Sequence, residues 1–449
     1  MITDKPIIVI GGGLAGCEAA WQLSTRGHRV IIYEMKPIVF SPAHKSAHLA
    51  ELVCSNSLRS NRPENAVGLL KAEMRIMNSL IMEAADRTAV PAGKALAVDR
   101  NHFSLYVEEK LLSQKGIKII REELREVPSD NMVIIATGPL TSDALAKSIS
   151  ALIGTDYLYF YDAISPIIEG DSIDYTKAFM ASRYDSAEGD YLNCPMDKGE
   201  YERFWQALIE GEKVPLRPFE ESKFFSGCLP IEILALSGKQ TLAFGPMKPV
   251  GLTDPKTQKQ PYAVVQLRKE DRNGLLFSMV GFQTKLTWPE QRRILRMIPG
   301  LENAEFARYG SIHRNTFINS PALLRQTLQM RANDNIFFAG QITGAEGYIE
   351  SSAIGLIAGL SASRCLFDKE MASPPQTTAL GALLRYIIHA DQKTFQPMNI
   401  NFGLFPSLPQ KLPKKDRGRH YAERALKALI EWTELELGMS KPLPQKNTV

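Results

Sequence analysis

The sequence predicts an α/β fold: a Rossmann-like domain, discontinuous in sequence, with an inserted α+β domain and a helical C-terminal tail. Three observations predict it. The apolar run Ile7–Ile10 meets the turn GGGLAG, a helix-like stretch, and a second apolar run that ends in Glu34. A second strand–glycine–helix unit, NIFFAGQITGAEGYIESSAIG, stands far downstream. Between the two units the chain turns to short strands broken by Pro and Gly, the habit of a separate α+β unit. The implied boundaries are 1–168 and 305–370 for the Rossmann-like domain, 169–304 for the insert, and 371–449 for the extension packing on the first domain.

Ile7–Ile10 is β-branched and short, as a buried strand should be. Gly11, Gly13 and Gly16 then give G-x-G-x-x-G, with Gly12, Leu14 and Ala15 completing the turn. The first glycine permits the tight turn, the second lets the backbone approach a pyrophosphate, and the third lets the helix pack close to the sheet. The helix N–H groups then point at the phosphates. Glu34 closes the second strand about 20 residues on, where a carboxylate hydrogen-bonds the ribose hydroxyls of an adenosine half. Strand, glycines, helix, strand and terminal acid together imply a dinucleotide site.

Residues 36–61 are rich in Ser, Asn, His and Arg and interrupted by Pro37 and Pro42, which marks a long and functional loop. Residues 66–87 carry apolar side chains at helical spacing and predict one amphipathic helix, its methionines filling the core. Short strands follow near 117–120 and 132–136, the second ending in ATGPL. In the late unit a strand at Ile336–Ala339 meets Gly340, Gln341, Gly344, Gly347 and Tyr348, then a helix of small residues. Two such units, one at each end, imply a single nucleotide, FAD, held by a discontinuous domain. The alternative is a βα unit whose small residues serve helix packing alone. The tail holds a helical segment near TTALGALLRYIIHA and a final helix within LPKKDRGRHYAERALKALIEW.

Composition sets the outer limits. With 449 residues, 44% hydrophobic and 23% charged, the chain can build two or three domains of ordinary soluble composition. No stretch approaches the roughly 20 apolar residues of a membrane span, and residues 1–10 run straight into the first strand without room for a signal peptide. Five scattered cysteines fit reduced thiols and a cytoplasmic setting. A net charge of +4 leaves any nucleic-acid binding to local patches. No metal ligand set is expected.

The thiols divide into two groups. Cys17, Cys194 and Cys365 read as small buried hydrophobes. Cys54 in ELVCSNSLRSN and Cys228 in FFSGCLPIE sit in polar or turn-marked contexts, each near a cation able to lower its pKa: Arg59 for the first, Lys223 for the second. The paired cysteines of disulfide-type flavin reductases are missing.

GGGLAGCEAAWQLSTRGHRVIIYEMKP, ELVCSNSLRS, FSGCLPIE, GSIHRNTFINSP and FFAGQITGAEGYIES resemble the folate- and FAD-dependent tRNA (uracil-5-)-methyltransferase family, over about residues 5–365. The related GidA-type wobble-uridine flavoproteins share the glycine start and the AGQI turn, but are longer and differ around the cysteines. The resemblance implies that 5,10-methylenetetrahydrofolate donates a one-carbon unit to carbon 5 of uracil, at position 54 of the tRNA T loop. FAD supplies electrons and NADH or NADPH recharges it. Uracil carbon 5 is a poor nucleophile until a thiolate adds to carbon 6, so the reaction needs an activated cysteine and a base. Cys228 is the expected nucleophile and Cys54 the second thiol, which protects, relays or acts as the base; the reverse assignment stays open. The resemblance also places Tyr348 against the isoalloxazine ring and lets His313 and Arg314 contact uracil or folate carboxylates.

RNA recognition asks for phosphate contacts and a splayed base. Candidate cations are Arg292, Arg293 and Arg296, then Lys256 and Lys259, and the run Lys411, Lys414, Lys415, Arg417 and Arg419. Each cluster alone reads more simply as a solvated face. No membrane and no obligate protein partner are expected. Competing readings are the same chemistry on a uridine of 23S ribosomal RNA, a GidA-like flavoprotein that needs a partner, and a generic NADH-dependent flavin oxidoreductase.

Overall fold

The computed structural model describes residues 5–154, 158–183, 189–214, 229–271, 273–367, 373–410 and 412–438, with backbone alone at 158–164, 312–314 and 414. Six strands form the first sheet: β1 (Ile7–Ile10), β2 (Val30–Glu34), β3 (Ile117–Arg121), β4 (Val133–Ile135), β5 (Gln329–Met330) and β6 (Asn333–Phe338). Their spatial order is β5-β6-β4-β1-β2-β3. Every neighbouring pair is parallel except β5 with β6. β1 and β4 are buried along their whole length, as central strands covered on both faces should be. β6 pairs with β4 in the register Ile336 to Val133, so the late unit joins the early one in a single sheet.

Three helices cover the crossing of the two units: α1 (Leu14–Ser24), α2 (Ala66–Ile76) and α3 (Tyr348–Cys365). α3 is buried from Ile349 to Ser363, which suits its run of small and apolar residues with no charged face. The predicted 66–87 helix is in fact two helices. Asn78 takes a left-handed φ of 54° after α2, and Ser79 caps a second helix, Leu80–Arg87, by accepting from the Met82 N–H at 3.2 Å. The buried Glu18 carboxylate receives the Ser79 hydroxyl at 2.6 Å and the Ile81 N–H at 3.0 Å. The break is thereby satisfied, so apolar periodicity alone could not carry one helix across it. Met74, Met77 and Met82 are buried as expected.

The insert builds an antiparallel sheet between Ile167 and Arg308, slightly wider than 169–304 because Phe306–Arg308 pairs with Ile167 and Ile168. It has its own core around Tyr201, Phe204, Val265 and Phe277. A two-stranded antiparallel ribbon, Leu158–Ile164 against Ser311–Phe317, carries the chain out and back. The tail contributes α4 (Ala379–His389) and α5 (Lys414–Leu437). Glu73 on α2 accepts the Ala379 and Leu380 N–H groups at 2.7 and 2.8 Å, capping α4 from outside. Ala422, Ala425, Leu429 and Trp432 of α5 join the core of the first domain.

Candidate active site

The glycine turn, the end of β2 and the start of α3 border one cleft. Gly11 has φ +102°, and a Cβ there would lie 2.6 Å from the Ala136 carbonyl oxygen, so only glycine makes this turn. A Cβ on Gly16 would lie 1.9 Å from the Gly11 carbonyl oxygen, which fixes the close approach of α1. Gly13 faces open space and lines the cleft with Gly11, Leu14 and Ala15. At the far end Glu34 accepts the Gly12 N–H at 2.8 Å on one oxygen and the Lys36 N–H at 2.9 Å on the other. Both bonds hold the carboxylate at the cleft wall. Ala50 donates to the Gly12 carbonyl at 2.8 Å, and Lys36, nearly fully buried, reaches the His48 carbonyl at 2.7 Å and Glu51 at 3.3 Å. The polar loop therefore folds back on the glycine turn.

At the other end stands Tyr348, with Gln341 and Ser351. Its hydroxyl accepts the N–H of Cys54 at 2.6 Å and that of Ser55 at 3.2 Å. Burial, then the neighbouring Cys54 thiol, pushes the phenol above the usual tyrosine range, so it stays protonated. Cys54 is half-buried beside the cleft. Arginines grip its loop. Arg308 donates to the Val53 carbonyl at 2.6 Å and the Cys54 carbonyl at 3.1 Å, and Arg100 donates to the Leu52 carbonyl. Arg268 donates to Asn56 Oδ1 at 2.8 Å and Ser55 Oγ at 2.7 Å.

The structure brings Gly11, Gly13, Leu14, Ala15, Glu34, Gln341 and Tyr348 to one cleft. Gly12, Gly16, Gly340 and Gly347 are not among the residues that line it. Arg59 pairs with Glu350, a fully buried carboxylate at the start of α3. Cys228 and Lys223 lie outside the described residues, and His313 and Arg314 are placed only as strand positions. Cys17 and Cys194 are buried; burial pushes the first thiol far up and the second up to about 12, leaving both inert at neutral pH. Cys365 is half-buried rather than buried, accepting from Gln329 at 3.4 Å. Arg292 bonds Tyr309, Arg293 pairs with Glu290, and Arg296 pairs with Glu305, so these cations are tied within the insert. Arg100, Arg268 and Arg308 were not anticipated. One trace was readable: Gln266, Arg268 and Glu270 recur at every second position in or just after the strand Ala263–Lys269, which is otherwise apolar but for Lys269. Among the described residues no helix is long and apolar enough to cross a membrane.

Comparison with known proteins bears on this cleft. The family model "Glucose inhibited division protein A" matches residues 6–370. The chain is 65% identical over 433 residues to the methylenetetrahydrofolate–tRNA-(uracil-5-)-methyltransferase TrmFO of Syntrophus aciditrophicus, covering 96% of this chain and 98% of that protein. It is 58% identical over 427 residues to the protein of the same name from Geobacter sulfurreducens, with 95% and 98% covered. Among solved structures, GidA of Aquifex aeolicus superposes with a TM-score of 0.67 at 16% identity, covering 96% of this chain and 74% of that one. That likeness concerns the fold.

Proposed function

The chain belongs to the TrmFO family of methylenetetrahydrofolate–tRNA-(uracil-5-)-methyltransferases, and we propose that it forms 5-methyluridine at position 54 of the tRNA T loop. The carbon comes from 5,10-methylenetetrahydrofolate. The cleft suits FAD: open space in front of Gly13, a fixed carboxylate at Glu34, and a second glycine unit at the opposite end. FAD, when bound, supplies the two electrons that turn the transferred methylene into a methyl group, and NADH or NADPH replaces them.

In this reading the glycine turn and the α1 N-terminus receive the pyrophosphate, and Glu34 receives the ribose hydroxyls. Cys228 adds to uracil carbon 6, which places negative charge on the ring and makes carbon 5 a nucleophile toward the one-carbon unit. Cys54, the second thiol, takes up the carbon-5 proton, and the electron pair of that bond expels the amine of the one-carbon carrier to leave an exocyclic methylene. Delivery of two electrons and a proton to that methylene, with departure of the attacking thiolate, restores the carbon 5–carbon 6 double bond. The observation that carries the reading is the 2.6 Å bond from the Cys54 N–H to the Tyr348 hydroxyl. It joins the thiol loop to the end of the cleft built by the late glycine unit.

The test is nucleoside mass spectrometry of an unmodified tRNA transcript incubated with the protein, FAD, NADH or NADPH, and methylene-labelled methylenetetrahydrofolate. Labelled 5-methyluridine at one T-loop position is the expected result. Label appearing only in ribosomal RNA, or in no RNA while nicotinamide is consumed, would overturn the assignment.

A further inference from the structure

We propose that Arg308, acting with Arg100 and Arg268, is a positioning residue that holds the Cys54 loop and supplies the positive field that keeps the Cys54 thiol ionised. The proposal rests on the reading of Cys54 as the proton-accepting thiol.

The three guanidinium groups come from separate elements: the start of helix Arg100–Leu112, the strand Ala263–Lys269, and the end of strand Phe306–Arg308. Together they hold five consecutive residues. Arg100 takes the Leu52 carbonyl, Arg308 the carbonyls of Val53 and Cys54, and Arg268 the side chains of Ser55 and Asn56. Arg308 also reaches the Ser165 carbonyl at 3.4 Å, at the outgoing crossing between the domains. It thus ties the thiol loop to the hinge of the insert.

The charge around this loop is unbalanced. Among the described residues Glu270 is the carboxylate of the cluster, 2.6 Å from Arg100 and 4.0 Å from Arg268. Tyr348 and Tyr191 face it as neutral phenols, each pushed up by burial. Among the described residues three cations therefore stand against one anion, and Arg308 Nε is buried there with no hydrogen-bond partner. Burying such a surplus is costly unless another anion forms among the cations. Neutral amide donors would grip the same carbonyls at less cost. The group central to all three arginines that can become an anion is the Cys54 thiol, which interacts electrostatically with each of them.

A base that takes the uracil carbon-5 proton must already have lost its own. An ordinary cysteine, with a pKa of about 8.5, is mostly protonated at neutral pH. One unscreened guanidinium is worth about one pH unit even at roughly 10 Å at an effective dielectric of about 20. The surplus of two acts to lower the thiol from that value. Because Arg268 and Arg308 belong to the insert while the loop belongs to the first domain, the thiol is ionised only when the insert is seated.

The experiment is pulse alkylation of Cys54 by iodoacetamide in the full-length, FAD-loaded protein under a phosphine reductant. Labelling is read on the Cys54 peptide by mass spectrometry across roughly pH 5 to 10. In the unmodified protein the midpoint is expected below the ordinary cysteine value. Arg308→Met should raise it by about one unit, and Glu270→Gln, which removes the compensating carboxylate, should lower it. Arg308→Lys keeps the charge but not the two-carbonyl fork, so the midpoint should stay near the original while kcat falls. Midpoints that do not move, or that move the same way in Arg308→Met and Glu270→Gln, overturn the proposal. Should Arg308→Met fail to fold, the near-isosteric Glu270→Gln decides by its sign. Full methylation by Cys54→Ala would instead remove Cys54 from the reaction and leave the midpoint result standing, so the two failures are distinguishable.

Discussion

Tyr348 is the residue on which the late glycine unit and the Cys54 loop converge. Its hydroxyl is the acceptor for two consecutive N–H groups, so the ring and the thiol loop hold a single relative position. Tyr348→Phe removes no apolar surface but leaves both donors unsatisfied. The expected loss is about 1–3 kcal/mol of stability, read in urea unfolding, together with a lower methylation rate at saturating substrate. A variant with wild-type stability and rate would show that the hydroxyl does not hold the loop. The same scale explains the division of the thiols. Cys17 and Cys194 are fully buried, and burial together with nearby carboxylates disfavours a thiolate there, whereas Cys54 lies in a cluster of cations.

Among the elements, α2 is the hub between sheet and tail, and it carries two buried ionisable side chains of different function. Glu73 caps α4 with both oxygens. Glu73→Ala should cost about 2–3 kcal/mol, since two helix-start N–H groups lose a buried acceptor. Hydrogen exchange at residues 379–380 should rise while flavin absorbance stays unchanged. Lys71, fully buried, donates to the Ser60 and Val67 carbonyls, and burial, with Arg59 adding and Glu350 opposing, pushes it down to about 7. The unfolded chain keeps this lysine protonated up to its ordinary range near 10.4. Between about pH 7 and that range the unfolded state binds the extra proton, so this group makes stability rise with pH. Lys71→Met should flatten that rise in chemical unfolding measured from neutral to alkaline pH. An unchanged slope would place the proton elsewhere.

For the whole molecule, the decisive feature is that the insert reaches back to the first domain through charged side chains as well as through its ribbon. Arg268 and Glu270 of the insert meet Ser55, Asn56 and Arg100 of the first domain. Arg268→Met would leave Asn56, Ser55 and Glu270 short of a partner in a buried interface. The expected cost is about 3 kcal/mol, with faster proteolysis at the ribbon and weaker methylation. Retention of both stability and activity would show that the ribbon alone seats the insert. The tail adds a second brace, because α5 completes the core of the first domain rather than standing apart.

By itself the sequence determined the pieces whose signals are local. The glycine spacing, the alternation of strand and helix, Glu34 at its set distance and the polar loop at Cys54 all depend on neighbours along the chain, and the structure assembles them around one cleft. The end of the predicted 66–87 helix was less legible, because Asn78 and Ser79 break it with support from Glu18, some sixty residues earlier. Tertiary structure alone decided the contact of Tyr348 with Cys54 and the arginine grip on residues 52–56. Residues 100, 268 and 308 share no period and no motif, and burial of their charges makes sense only once the chain has brought an acceptor-rich loop between them. Periodicity records which face of an element is buried, but the partner that a buried charge meets is chosen by the fold.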